Sequence, residues 1–397
     1  MHISLSSVVN YKKGKMPLEF SESGKPGYAP YIDIKLFDKG ILSRFAKCDS
    51  KVTLVNKDDV LVVWDGARFG LSTIGWEGVL GSTIVALNSK YVLPNFLFYF
   101  IQSNFKKIQS KPRGVGIPHV EPSLFWNLEI PVPPMAEQKR IVKKIEELFG
   151  VIDKQVKRLE ATQEALVSYR QSILNTYFKN SKYSTCKIKD LCQVVRGGSP
   201  RPAGDPRFYN GTIPFLKVAD LTHNSSMFVN EATYTIKPAG LIKTRKVPAN
   251  TLLLSNSGAT LGVPKICTFE TTFNDGIAAF LNLPKEALPY HYYFWVSKTK
   301  ELRAINQGAA QPNLNTTIIE NMDIPYPSLP EQKAIVKKIE TAFAFADKAQ
   351  AAITDALEQA KQLKQSILKR AFEGKLVPQD PNDKPIDLTQ LTKDKQK

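Results

Sequence analysis

Between residues 137 and 178 apolar side chains recur at helical spacing, at Ile141, Ile145, Leu148, Ile152, Leu159, Leu166 and Ile173, with no proline and one glycine, Gly150. The pattern predicts one unbroken helix, roughly 60 Å long at about 1.5 Å per residue. A second such stretch covers residues 331–372 through Ile335, Ile339, Ala342, Ala346, Ala349, Ile353, Ala356, Ala360, Leu363 and Ile367, alternating bulky and small side chains. Two rods of equal length with matching stripes are expected to pair. The segment between them lets the chain reverse, which favours an antiparallel two-helix coiled coil over a parallel one. A helix of this length also outreaches a domain of about 130 residues, which is only about 30 Å across. Apolar residues off the seam, Val142, Phe149, Val156, Val167 and Leu174, are expected to serve a partner protein.

Elsewhere the pattern changes to short apolar runs bounded by turn residues. Residues 59–66, Asp-Val-Leu-Val-Val-Trp-Asp-Gly, and residues 250–256, Asn-Thr-Leu-Leu-Leu-Ser-Asn, read as strands. Helical stretches are expected at 94–109 and 289–305. Residues 1–133 and 181–327 are therefore each predicted to be α/β or mixed α+β, a sheet with few helices. Strand order does not follow from the pattern.

The chain is written twice. Glu137-Gln138-Lys139-Arg140-Ile141-Val142-Lys143-Lys144-Ile145-Glu146 returns as Glu331-Gln332-Lys333-Ala334-Ile335-Val336-Lys337-Lys338-Ile339-Glu340, with only Arg140 and Ala334 different. The same offset of 194 residues carries Tyr99-Phe100 onto Tyr293-Phe294, Ile130-Pro131 onto Ile324-Pro325, and Gln171-Ser172-Ile173-Leu174 onto Gln365-Ser366-Ile367-Leu368. Upstream the match slips by two residues, Gly66-Ala67-Arg68-Phe69-Gly70 facing Gly258-Ala259-Thr260-Leu261-Gly262. A period this long marks a duplicated domain pair with internal pseudo-two-fold character rather than a solenoid. The division expected is a variable domain at 1–133, a helical spacer at 134–180, a second variable domain at 181–327, a second spacer at 328–373 and a polar tail at 374–397.

Charge changes the picture next. The net charge is +17, from 54 Lys+Arg against 37 Asp+Glu, while 43% of residues are apolar, enough for a core. By residue count the first variable domain carries +5 and the second +6, so each half is independently suited to a phosphate backbone. Double-stranded DNA gripped at two places is the expected ligand. No apolar run reaches the length of a membrane span and no signal segment follows Met1, so the expectation is a cytoplasmic protein with no membrane partner. Cys48, Cys186, Cys192 and Cys267 have neither disulfide-framework nor zinc-site spacing and read as reduced, mostly buried thiols.

Candidate DNA contacts are basic or amide residues in glycine- and proline-rich loops, where backbone can approach a phosphate and a side chain can reach a base edge. In the first half these are Lys12, Lys13, Lys15, Arg68, Lys111 and Arg113. In the second they are Arg196, Arg201, Arg207, Lys243, Arg245, Lys246, Gln307, Gln311 and Asn313.

Signatures of catalysis are missing. There is no glycine-rich phosphate loop ending in Gly-Lys-Ser/Thr, and Arg196-Gly197-Gly198-Ser199-Pro200 reads as a turn. A DNA methyltransferase would need an Asn/Asp-Pro-Pro-aromatic loop, but the sole Pro-Pro, Pro133-Pro134, follows Val132. His2, His119, His223 and His291 lack metal-ligand spacing, so no metal is expected; only His119 draws notice, because the second copy carries Asn313 at its position. Binding without chemistry is the simplest account, against a fused restriction-methylation enzyme or a stand-alone site-specific DNA-binding regulator or scaffold.

These residues together resemble the specificity subunit of a type I restriction-modification system, over nearly the whole length. The carriers are Asn127-Leu128-Glu129-Ile130-Pro131-Val132-Pro133-Pro134 followed by Glu137-Gln138-Lys139, and Asn321-Met322-Asp323-Ile324-Pro325-Tyr326-Pro327 followed by Glu331-Gln332-Lys333. Supporting them are Gly198-Ser199-Pro200 with Ile213-Pro214-Phe215-Leu216-Lys217, and Gln311-Pro312-Asn313-Leu314-Asn315. The first half lacks the Gly-Gly-Ser-Pro and Ile-Pro-Phe-Leu pattern. The resemblance implies a non-catalytic subunit with two target recognition domains, each reading half of a bipartite asymmetric site, held apart by paired helices. It further implies that these helices dock two methyltransferase subunits, through Glu137, Gln138, Ile141, Ile145, Phe149, Glu331, Gln332, Ile335, Ile339 and Phe343. This chain would then hold no cofactor; S-adenosylmethionine, ATP and Mg would belong to the methyltransferase and the restriction/translocase subunits.

Overall fold

The computed structural model describes residues 2–114, 116–258, 260–305 and 314–387. It divides into two compact units, Met1–Leu159 with Asp355–Lys397, and Glu160–Thr354. Each contains one variable domain and parts of two 44-residue helices, Met135–Phe178 and Leu329–Phe372.

In the first unit a four-stranded antiparallel sheet has the order Asn10–Lys13, Ile84–Asn88, Val60–Val63, Ser72–Thr73. Val60–Val63 is buried throughout, and its side chains alternate between two cores. Val60 and Val62 join Val85, Leu87, Phe96, Leu97, Phe100 and Ile101, whereas Leu61 joins Ile84, Ala86, Ile32 and Leu80. One face of the sheet meets the helix Pro94–Ser103 and the other meets a second sheet, which is why the run lacks polar alternation. The second sheet has the order Phe20–Ser21, Phe45–Lys47, Tyr28–Ile32, Gly78–Leu80, Leu54–Val55, with Tyr28–Ile32 and Gly78–Leu80 parallel. The helix expected over 94–109 stops at Ser103 and resumes as Phe105–Gln109, with Asn104 donating its side-chain amide to Phe100 O at the break (3.0 Å).

The second unit repeats this order. Its strands Gln193–Arg196, Ile277–Leu281, Thr251–Ser255 and Pro264–Cys267 follow one another as their first-unit counterparts do, with Phe228–Val229 added at the edge. Leu252 and Leu254 point into the core built on the helix Leu288–Ile305, and Leu253 points into the core below the other sheet. In that other sheet Tyr209–Leu216 runs parallel to Thr271–Phe273, as Tyr28–Ile32 does to Gly78–Leu80. Small antiparallel pairs precede both long helices, with Ile3 opposite Ile130 and Cys186 opposite Ile324.

Both long helices follow proline-rich entries, and the second carries Pro330 in its first turn, where a missing N–H costs nothing. Gln138 is fully buried: its carbonyl accepts from Leu93 N (2.8 Å), and its amide donates to Tyr91 O and Pro133 O (3.0 Å each). Gln332 likewise donates to Pro327 O (3.0 Å). Glu331 accepts from the Ser328 N–H (3.0 Å) and hydroxyl (2.7 Å), which hold its carboxyl below the ordinary carboxylate range. Within the first unit Ile141, Ile145 and Ile152 share a core with Ile367, Leu368 and Ala371; within the second, Leu174 and Phe178 share one with Ile335 and Ile339.

This packing corrects two expectations. Of the off-seam residues reserved for a partner, Val142 and Leu174 are buried, Phe149 and Val156 pack against the first core, and only Val167 is exposed. Leu363, placed on the seam by its spacing, is exposed. Residues 375–387 also pack: Leu376, Val377 and Ile386 lie against the first core, and Arg140 forks onto the Asp383 carboxylate (2.5 and 3.3 Å). Arg140 is the residue that distinguishes the two decapeptides, and this partner accounts for the difference. All four cysteines are free; Cys192 and Cys267 are buried, and Cys48 is exposed.

Candidate nucleic-acid interface

In the second unit Arg196 ends its strand against a stretch where two glycines let backbones touch. A Cβ on Gly197 would stand 2.2 Å from Asn274 O, and one on Gly198 would stand 2.3 Å from Lys243 O. Onto this platform three candidate arginines converge. Arg196 Nε donates to Asp275 O (2.6 Å), Arg245 Nε donates to Arg196 O (2.9 Å), and Arg201 Nη2 lies 3.6 Å from Asp275 Oδ2. Ser199 Oγ donates to the other carboxylate oxygen, Asp275 Oδ1 (2.6 Å). Asp275 thus holds Arg196 through its backbone carbonyl and Arg201 and Ser199 through its carboxylate, within an exposed basic surface. Arg196 and Arg245 each spend one donor on this frame and keep others for a ligand, and Arg201 meets it only as an ion pair.

Other candidates in this unit stay apart from the cluster. Arg207 forks onto Asp205, which lowers the Asp205 carboxyl pKa, and Lys246 pairs with Glu270 (2.6 Å). Lys243 is exposed beside the glycine platform. Gln307, Gln311 and Asn313 lie outside the described residues.

In the first unit Gly14 plays the part of Gly197, its missing Cβ making room for Gly81 O (2.0 Å). Lys13 Nζ lies 3.3 Å from Asp65 Oδ2, and His119 Nδ1 lies 2.7 Å from Asp65 Oδ1. Arg113 is bridged to His119 by two backbone hydrogen bonds (3.0 and 2.9 Å). The structure therefore brings the Lys13 side chain and the Arg113 backbone to an acid and an imidazole. Arg68 is turned to Asp38 instead (3.0 Å), and Lys12, Lys15 and Lys111 are exposed. The residues missed in the sequence are Asp65 and Asp275. A search for basic loops passes over acids, and the signal that would have found them is an aspartate beside a turn glycine, Asp65-Gly66 and Asp275-Gly276.

The helix positions expected to meet a partner divide by burial. Glu137, Gln138, Ile141, Ile145, Gln332, Ile335 and Ile339 are buried in their own units. Phe149 and Phe343 are half-buried and Glu331 is exposed. Among the described residues no cluster of His, Cys, Asp and Glu could hold a metal ion, and no helix is long and apolar enough to cross a membrane.

A family model described as the type I restriction modification DNA specificity domain matches residues 1–161 and again residues 180–359. The chain belongs to this family. It is a type I specificity subunit, the non-catalytic component through which a restriction-modification complex recognises DNA. Among its relatives, the MjaVIII specificity subunit of Methanocaldococcus jannaschii is 26% identical over 364 residues, covering 85% of each chain. The StySPI specificity subunit of Salmonella potsdam is 27% identical over 320 residues, 73% of this chain and 67% of that one. The fold is shared with a chain solved in work on complex assembly and conformational transition of the type I R-M system, at a TM-score of 0.71 and 21% identity, covering 93% of this chain and 98% of that one. The HsdS subunit from Thermoanaerobacter tengcongensis matches at a TM-score of 0.56 and 20% identity over 94% and 97%. Type I specificity subunits work with methyltransferase and restriction subunits, so the basic loops described above belong to a protein whose chemistry is carried by others.

Proposed function

We propose that each variable domain reads one half of a bipartite, asymmetric DNA target, and that the two long helices run antiparallel as a coiled coil that sets the half-site spacing and docks two methyltransferase subunits. The observation that carries this reading is a clasp found once in each unit. In the first, Asp153 pairs with Lys364 (2.5 Å), and Lys364 lies 4.9 Å from the Phe149 ring centroid; in the second, Asp347 pairs with Arg170 (2.5 Å), and Arg170 lies 6.0 Å from that of Phe343. The 194-residue offset carries Asp153 onto Asp347, Phe149 onto Phe343 and Arg170 onto Lys364. Tyr99 and Tyr293, also equivalent, stand edge-on to these phenylalanines at 5.7 Å. The first helix gives the acid in one clasp and the cation in the other, which is the exchange that an antiparallel pair of duplicated helices requires.

The contact residues we assign are Lys13, Arg113 and their exposed neighbours Lys12, Lys15 and Lys111 for one half-site, and Arg196, Arg201 and Arg245 for the other. Domain charges of +5 and +6 support equal holds on the phosphate backbone. A fused, diverged duplication keeps two-fold geometry while freeing each half to read its own sequence. The test is to exchange residues 181–327 for the equivalent domain of a relative, co-express the chimaera with the methyltransferase subunits, and sequence the methylated adenines. One half of the target should change. A change in both halves would refute the division.

A further inference from the structure

We infer that His119, oriented by Asp65, is a residue that discriminates a base in the half-site read by the first unit. The inference rests on the half-site reading above and adds to it a single base-edge contact.

The backbone around His119 is held without its side chain. His119 exchanges two hydrogen bonds with Arg113, Val120 N donates to Trp64 O (2.9 Å), and Gly66 N donates to Pro118 O (2.8 Å). The ion pair is therefore not needed to close this loop. What Asp65 does is fix the ring. With Asp65 Oδ1 at 2.7 Å, Nδ1 carries the proton it donates, and the Nε2 edge is left directed away from the carboxylate. Among the described residues Nε2 has no hydrogen-bond partner, and the side chain is 38% exposed. Gly114 makes room beside the ring: a Cβ there would stand 3.1 Å from Cδ2, at a φ of +95° that a side chain rarely adopts.

A carboxylate in a surface that meets a polyanion is unfavourable unless its charge is compensated. Asp65 is compensated by Lys13 at 3.3 Å and by the polar N–H of His119, so the cluster can face DNA without net repulsion. An imidazole held in this way loses little rotational freedom on binding. In the neutral ring Nε2 is an acceptor, matched to the exocyclic amino group that adenine or cytosine presents in the major groove.

Comparison of the two units points to the same position. The frame is common to both: Val120 N to Trp64 O recurs as Leu314 N to Asn256 O (2.8 Å), and Lys13 and Arg196 occupy the same register, opposite Val85 and Ala278. The side chains on that frame change together, Lys13, Asp65 and His119 being replaced in the sequence by Arg196, Ser257 and Asn313. Groups that change while their scaffold does not are where two readers of different half-sites should differ.

The test uses the full chain in complex with its methyltransferase subunits, with the methylated motif determined for wild type, His119→Ala, His119→Asn, Asp65→Ala and Asp65→Asn. His119→Ala and Asp65→Ala should each lose about tenfold or more discrimination at one base pair of one half-site, the scale of a mismatched pair in a specific site. Asp65→Asn keeps an acceptor for Nδ1–H and should retain the motif, while His119→Asn should alter preference at the same base pair. A purely structural role would instead lower the melting temperature and slow methylation evenly at an unchanged motif, which would overturn the inference. The exchange of residues 181–327, run in parallel, separates the two levels. If it changes one half-site and the His119 variants leave the other unaltered, only the assignment of His119 fails; if the exchange changes both, the half-site reading fails.

Discussion

His291 is the side chain in this molecule whose replacement should stabilise it. It sits in the helix Leu288–Ile305 at the place that the repeat assigns to Leu97 in the helix Pro94–Ser103. Both are fully or nearly fully buried, at 0% and 1% exposure. Leucine suits the site; histidine brings two ring nitrogens for which the described residues offer no hydrogen-bond partner, between the rings of Tyr290 and Tyr326 at 6.1 and 6.2 Å. Burial pushes its pKa down from 6.5 to about 4. Below pH 6.5 the unfolded chain therefore takes up a proton that the folded chain refuses until about pH 4, so stability falls through that window. By linkage the loss at pH 5 comes to about 2 kcal/mol. His291→Leu removes both liabilities at nearly constant volume. At pH 7.5, where the proton does not enter, relief of unsatisfied polar atoms should add roughly 1–2 kcal/mol, and at pH 5 the advantage should widen by about 2 kcal/mol. Urea unfolding of both proteins at the two pH values measures this, followed by the fluorescence of Trp295, which lies in the same core. An equal gap at both pH values would refute the titration argument. A variant less stable at pH 7.5 would mean that the imidazole is hydrogen-bonded, to a trapped water for instance, and that its polarity is useful.

Gly197→Ala should lower the melting temperature by several degrees, because its Cβ would stand 2.2 Å from Asn274 O, and moving a packed backbone costs roughly 1–3 kcal/mol; an unchanged melting curve would show that the two strands are not closely apposed. Arg140→Ala, which makes the first decapeptide identical to the second, should release residues 375–387, and limited trypsin digestion should then cut after Lys375 several-fold faster than in wild type, with equal rates counting against the Asp383 tether.

How far these features could be read from the chain depended on whether the physics was local. The long helices were legible because a 3.6-residue stripe persists over 44 residues and then recurs, so their bounds came within two residues of the observed Met135–Phe178 and Leu329–Phe372. Val60–Val63 and Thr251–Ser255 were legible for the opposite reason: burial on both faces leaves an uninterrupted apolar run between turn residues. The second sheet was not. Phe20–Ser21 and Leu54–Val55 are too short to carry a period, and the parallel pairing of Tyr28–Ile32 with Gly78–Leu80 is made by residues nearly fifty apart. The stripe also did not say which apolar positions face which neighbour. Leu363 fits the seam spacing yet is exposed, while Val142 and Leu174 lie off it and are buried, because the helices pack against their own domains as well as beside each other.

The candidate interface failed to be legible in a more instructive way. A DNA-binding surface was sought as positive charge, but the Asp275 carboxylate sets the geometry of Arg201 and Ser199, and the Asp65 carboxylate sets that of Lys13 and His119. A flexible lysine or arginine can neutralise a phosphate from many positions, so counting charge suffices for affinity. Reading a base edge demands a side chain already held in one orientation, and a short aspartate beside a turn glycine supplies the hydrogen-bond acceptors that hold it. On the reading proposed above, the half-buried acids set among the basic loops guide to the positions that specify sequence better than the more numerous basic residues do.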